Sequence, residues 1–173
     1  MRYIKLSVPV KTYVRKYIEV KYPGEIKLNF TSTLGRLVHC CLEKQSSHWW
    51  LKKEVNLSQQ RYMLLTDKIT VLLPWNQGTF YQTGFSIPGA KLAIINNYFE
   101  DQIIDEINFW GGIYYKTGKS RNQAIEDFCE HYDIIIDVDI TRDAFRKATY
   151  RYRKNLQNLA TVKASDKTST EII

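Results

Sequence analysis

Cysteine is scarce, with three residues, at 40, 41 and 129, in a chain of 173. Two are adjacent and the number is odd, so neither a disulfide framework nor a C-x-x-C pair can be built. The thiols are expected to be reduced and mostly buried. No apolar run approaches the roughly 18 residues needed to span a bilayer. The opening MRYIKLSVPVKTYVRKY has no uninterrupted apolar core followed by a small-residue cleavage site. A cytoplasmic protein without a membrane segment is the expectation. Internal repeats and sustained heptads are absent, and so is a recognisable catalytic signature. The residues therefore favour a binding activity over a reaction, with no enzyme, cofactor or metal implied.

Apolar surface is plentiful. Hydrophobic residues make up 44% of the chain and aromatic ones 13%, against 25% charged, which excludes wholesale disorder. The net charge of +7 conceals segments of opposite sign. Residues 1–60 hold 11 basic and 4 acidic residues, 101–140 hold 3 and 9, and 141–173 hold 8 and 3. A strongly basic end beside an acidic segment is polarised and should orient in the field of a polyanion.

Ile4, Leu6 and Val8 alternate with polar neighbours, which predicts a strand that Pro9 ends or places at a sheet edge. From Val10 the apolar Val14, Tyr17 and Ile18 separate from Lys11, Arg15 and Lys16 as on a short helix, stopped by Pro23-Gly24. Ile26, Leu28 and Phe30 alternate as a second strand, and Thr31-Ser32-Thr33 offers a cap for a helix with Leu34, Leu37, Val38, Cys41 and Leu42 on one face. Residues 45–60 fit no period. Residues 61–65 and 69–73 read as a hairpin about Thr66-Asp67-Lys68. The Gly- and Pro-containing stretch 75–89 reads as a loop and a domain boundary.

Leu92, Ile95, Phe99, Ile103 and Ile107 predict a long helix from Ala90 to about Tyr115, the longest in the chain, with Gly111-Gly112 the place where an early break would fall. Thr117-Gly118-Lys119 is a turn, and Ser120 to Gln123 matches the S-x-x-Q capping box, in which Ser120 accepts a backbone N–H and Gln123 reaches back to the other. Ala124, Ile125, Phe128, Cys129 and Tyr132 give the next helix its buried stripe. Asp133 to Ile140 is an apolar and acidic connector, and Thr141 with Asp143 opens a last helix through about Leu159. The expectation is an α+β chain. A short mixed half with a small antiparallel sheet (1–89) precedes a three-helix half with a helix-turn-helix-like pair (90–160) and a disordered tail (161–173).

The functional argument rests on the last helix. Phe145, Ala148, Tyr152, Leu156 and Leu159 form its apolar stripe, while Arg142, Arg146, Lys147, Arg151, Arg153 and Lys154 meet a single acid, Asp143, within the same stretch. Such a helix repels itself unless something anionic lies along it, and nucleic acid is the natural counterpart. Tyr150 sits among the cations, able to donate to a phosphate or stack on a base. Base readout would fall to Arg142, Arg146 or Tyr150. Lys11, Arg15, Lys16 and Lys21 form a second basic patch. The competing readings are a solvated basic face and a dock for an acidic protein. A connector longer than the usual three or four residues departs from the helix-turn-helix pattern.

The stretch FCEHYDIIIDVDITRDAFRKATYRYRKN resembles the C-terminal helix-turn-helix-like segments of uncharacterised proteins from bacteriophages and mobile elements of Bacteroidota, and YIKLSVPVKTYVRKYI is similar to the start of such proteins. The resemblance implies a small DNA-associated accessory or regulatory protein acting in transcription or replication, and it carries over no catalytic residues.

Other chemistry fits less well. Gly118-Lys119-Ser120 suggests a phosphate loop, but Gly112 leaves five residues between the glycines where four are needed. Asp101 with Asp105, Glu126 with Glu130, and Asp137 with Asp139 would suit a metal-dependent nuclease, yet nothing fixes three carboxylates at one point. His39, Cys40 and Cys41 diverge around a helix, and His131 with Cys129 lacks further ligands. Trp49, Trp50, Trp75, Phe80 and Tyr81 offer an oligomer contact in the second hypothesis, an interaction or structural protein of a virion or host-directed kind.

Overall fold

The computed structural model describes residues 2–42, 65–74, 87–151 and 154. Trp49, Trp50, Trp75, Phe80, Tyr81, the hairpin arm at 61–64, Tyr152, Arg153, Leu156, Leu159 and the tail lie outside the described residues. The class is α+β, with a three-stranded sheet and helices that form two compact units, Met1–Asp101 and Gln102–Ile173. The expected boundary after residue 89 coincides with the start of a long helix, and the division between units falls inside that helix. Its sequence holds no proline to break it, so one helix contributes residues to both units. Among the described residues no helix is long and apolar enough to cross a membrane.

The first unit is built on the sheet β1 (Tyr3–Val10), β2 (Ile26–Lys27) and β3 (Asp67–Pro74), in the order β1-β3-β2. The antiparallel pairing expected of the sheet holds for β1 and β3, from Tyr3 opposite Pro74 to Val10 opposite Asp67, while β2 joins β3 in parallel. Pro9 sits within β1, which tolerates it because β1 pairs with β3 on one side. β1 buries Leu6, Val8 and Val10 in alternation, whereas the central β3 buries Val71, Leu72, Leu73 and Pro74 in succession, as a strand covered on both faces does. The expected hairpin is corrected here: Asp67 and Lys68, assigned to its turn, belong to β3, whose partners are β1 and β2.

Helix α1 (Thr12–Lys21) buries Tyr13, Val14, Tyr17 and Ile18. Gly24, at φ 96°, turns the chain after it. Helix α2 (Thr33–Cys41) is capped by Ser32, whose Oγ accepts the Gly35 N–H at 3.0 Å and donates to the Asn29 carbonyl at 2.6 Å. That turn lies so close that a Cβ on Gly35 would stand 1.9 Å from the Asn29 carbonyl oxygen. Helix α3 (Gly89–Lys116) begins in this unit, where Leu92, Ile95 and Phe99 are buried and the Asn96 amide donates to the carbonyls of Pro9 and Leu92, both at 3.0 Å.

In the second unit α3 continues through both glycines. Neither has a positive φ, and Gly111 is buried under the Arg121 side chain, which donates to the Asn108 amide oxygen. Beyond the helix end at Lys116 the chain turns at Gly118, φ 75°, where Lys119 N–H bonds the Tyr114 carbonyl at 2.9 Å and Gly118 N–H that of Tyr115 at 3.2 Å. This pair of bonds is a Schellman motif. Ser120 caps α4 (Arg121–His131), accepting the Gln123 N–H at 3.2 Å. Only half of the expected capping box forms, because the Gln123 amide turns forward to donate to Asp127 at 2.8 Å. Asp127, also holding the Tyr114 hydroxyl at 2.5 Å, is a charged acceptor and so the stronger partner. Ile103, Ile107, Ala124, Ile125, Phe128, Cys129, Tyr132 and Ile134 form the core, with Trp110 edge-on to Phe128 at 5.7 Å.

Candidate nucleic-acid interface

The last helix, α5, is described over 142–151 and at 154. Its start is fixed by two acceptors. Thr141 Oγ1 takes the Ala144 N–H at 3.2 Å, and Asp137 Oδ1 takes the Arg142 N–H at 3.2 Å. Asp137 reaches that position from a left-handed residue, φ 68°, in a connector tightened further by Asp139, whose Oδ2 accepts the Ile135 N–H at 2.8 Å. The carboxylates of the connector thus serve as turn-makers. No group of three or more His, Cys, Asp or Glu that could hold a metal occurs among the described residues.

Phe145 and Thr149, each 1% exposed, mark the inward side of α5, with Ala148 half-buried beside them. Thr149 was not in the expected stripe. Its hydroxyl is satisfied within the helix, donating to the Arg146 carbonyl at 3.0 Å, and so it can be buried. At about 100° per residue, Arg146, Tyr150, Lys154, Lys147 and Arg151 then fall within about 140° of arc centred opposite the Phe145–Thr149 side. All five are exposed, Tyr150 at 62%. Arg153 lies outside the described residues.

Each cation has its own setting. Arg142 lies at the flank, next to the buried side, and pairs with Glu126 of α4 at 3.0 Å. Arg146 reaches α4 as well, donating to the neutral Asn122 side-chain oxygen at 3.2 Å, a contact that positions the guanidinium without removing its charge. Lys147 pairs with Asp143 one turn back at 2.8 Å, and that hydrogen bond holds the Asp143 carboxyl below the usual carboxylate range. Arg151 and Lys154 have no acid partner among the described residues. The free positive charge of the helix is therefore concentrated toward its C-terminal end. The pairing of Glu126 and Asn122 with two of the arginines is not legible in the sequence, where Glu126 stands out only as one of the carboxylates of a metal-dependent nuclease. They are exposed-face residues of a different helix, and no local spacing links them to α5.

The second basic patch is more neutralised. In the first unit Lys11 meets Glu100 at 2.6 Å, and Arg15 holds both oxygens of Glu19, at 2.8 and 2.7 Å, with Asp67 at 3.4 Å from its Nε. The Glu19 hydrogen bond is the main cause of an Arg15 pKa above its ordinary value. Lys21 donates to the Tyr17 hydroxyl at 2.5 Å, its ammonium 4.9 Å from that ring's centroid, and Lys16 is half-buried. The remaining candidates have structural roles. Lys119 lies 5.1 Å from the Tyr114 ring centroid, Cys41 is buried, and His39 stands edge-on to Phe30 at 5.1 Å. Burial pushes the Cys129 thiol pKa up to about 11, which removes it as a thiolate at neutral pH. No family model, curated protein or solved structure matches the chain.

Proposed function

We propose that this protein binds nucleic acid, specifically duplex DNA, through the outward face of α5, and acts by binding without catalysis. Arg146, Lys147, Arg151 and Lys154 contact phosphates, and Tyr150, held open among them, donates to a phosphate or stacks on a base. The observation that carries the reading is the opposition of the two sides of the helix: Phe145 and Thr149 point in, and every described cation from 146 onward is exposed. A merely solvated basic helix spreads its charge or pairs it with acids, whereas here the charges converge on one arc and Arg151 and Lys154 lack acid partners among the described residues. Arg142, braced on Glu126, sets the position of α5 against α4 and contributes little to phosphate binding. The biological setting we infer is an accessory or regulatory role in a phage or mobile element, in the cytoplasm where DNA is accessible. Titration of a labelled DNA duplex by fluorescence anisotropy at several salt concentrations tests it. Tight binding at low salt that weakens steeply as salt rises supports the reading, and no binding at low salt removes it.

A further inference from the structure

Within the second unit α3 exposes a face that its own core does not use. Ile103, Ile107 and Gly111 point inward, and at about 100° per residue the opposite side carries Asp105, Phe109, Gly112, Ile113 and Lys116. All five are exposed, Phe109 at 66% and Ile113 at 45%. Phe109 and Ile113 lie one turn apart, so their exposed apolar surfaces are neighbours on one face. The order of residues along this face indicates the occupant. Asp105 stands at one end and Lys116 at the other, and between them Phe109 and Gly112 lie equidistant from the centre of the segment.

We infer that this face pairs with the same face of a second copy of the chain, the two α3 segments running antiparallel about a twofold axis between Phe109 and Gly112. In that arrangement Asp105 of each copy meets Lys116 of the other, so the charges complement one another at both ends. Phe109 of each copy lies over Gly112 of the other. A Cβ on Gly112 would meet nothing within 4 Å, so the glycine leaves open space where a ring can seat. A parallel pairing would set Asp105 against Asp105 and Lys116 against Lys116, which charge repulsion disfavours. One short helix pair makes a small interface, so the dimer is weak, with a dissociation constant of about micromolar or above. The inference does not rest on nucleic-acid binding, because it uses no residue of α5.

Sedimentation velocity on the full chain from about 1 μM upward tests it, where the weight-average mass should rise from one copy toward two. Phe109→Glu should abolish the rise. Asp105→Lys and Lys116→Asp should each weaken the dimer about tenfold or more, and the double exchange D105K/K116D should restore it. Gly112→Ala separates the face from folding. It should raise Tm by about 2–4 °C, since helix interiors favour alanine, while weakening the dimer by filling the seat of the ring. A chain that stays monomeric throughout overturns the proposal, as does a dimer that ignores F109E and G112A or one that the double exchange fails to restore.

Discussion

Arg142 and Arg151 differ in their surroundings while sharing residue type and helix, and that difference gives a quantitative prediction. Each phosphate neutralised contributes about −0.9 to the slope of log affinity against log salt on duplex DNA. If Arg146, Lys147, Arg151 and Lys154 each engage one phosphate, the described face gives a slope of about −3.6, or about −2.7 if Lys147 stays with Asp143. Between 50 and 200 mM salt that is a loss of about 40- to 150-fold in affinity. Removing Arg151, exposed and without an acid partner among the described residues, should cut the slope by about 0.9 and reduce the loss to about 12- to 40-fold. Arg142→Ala removes a charge already matched by Glu126 at 3.0 Å, a surface pair with about 0–1 kcal/mol of stability in it, and should leave the slope unchanged. Anisotropy titrations of the two variants and the parent protein at four salt concentrations supply the slopes. Equal changes for R142A and R151A, or a parent slope near zero, would refute the assignment of the outward face.

Gly35→Ala should destabilise the first unit by about 2–4 kcal/mol in urea unfolding, because a Cβ 1.9 Å from the Asn29 carbonyl forces α2 away from the turn that caps it. The hydrogen bonds from Tyr114, the larger cause, and Gln123 hold Asp127 below the usual carboxylate range. A lowered folded-state pKa stabilises above the ordinary aspartate pKa, and the gain is lost as pH falls through the lowered value. Tyr114→Phe should therefore unfold at a lower midpoint than the parent at about pH 6, the two converging toward about pH 2, as chemical denaturation would show. Cys40 is the exposed thiol and should react rapidly with a disulfide reagent, while Cys41 and Cys129, both buried and with raised pKa values, should react on the timescale of unfolding, which counting absorbance equivalents over time would establish.

Much of the fold was legible because it is written in local chemistry. The alternation of Leu6 and Val8, the stop at Pro23-Gly24 and the caps at Ser32 and Ser120 each involve neighbours within a turn or two, and each appears where the residues place it. The hairpin turn was misassigned, and the persistence of the long helix through its glycines, though within the expected range, has no local explanation either. β3 was divided because Asp67 and Lys68 look like turn residues in isolation, but at the end of a strand paired with Val10 and Pro9 they need only extend the ladder. Gly111-Gly112 suggests a helix end when only propensity is considered, about 1 kcal/mol each relative to alanine. What supports the helix there is tertiary: the Arg121 side chain lies over Gly111 and bonds Asn108.

The same division between local and tertiary information explains how the interface could be read. A run of cations in a sequence gives a charge and a period, so that α5 should be basic on its exposed side follows from spacing alone. Direction at the edge of the stripe does not follow, because Arg142 and Arg146 are one turn apart and would be equivalent on an isolated helix. They differ once α4 is placed alongside: Arg142 meets a carboxylate and Arg146 meets an amide. The first contact matches the positive charge with a negative one, and the second orients the guanidinium with its charge intact. An acidic helix beside a basic one therefore acts as a selector of which cations remain available to a polyanion. Glu126, from the acidic segment 101–140, ties Arg142 at the start of α5 to α4, which leaves Arg146, Lys147, Arg151 and Lys154 as the described cations of the proposed phosphate-binding face.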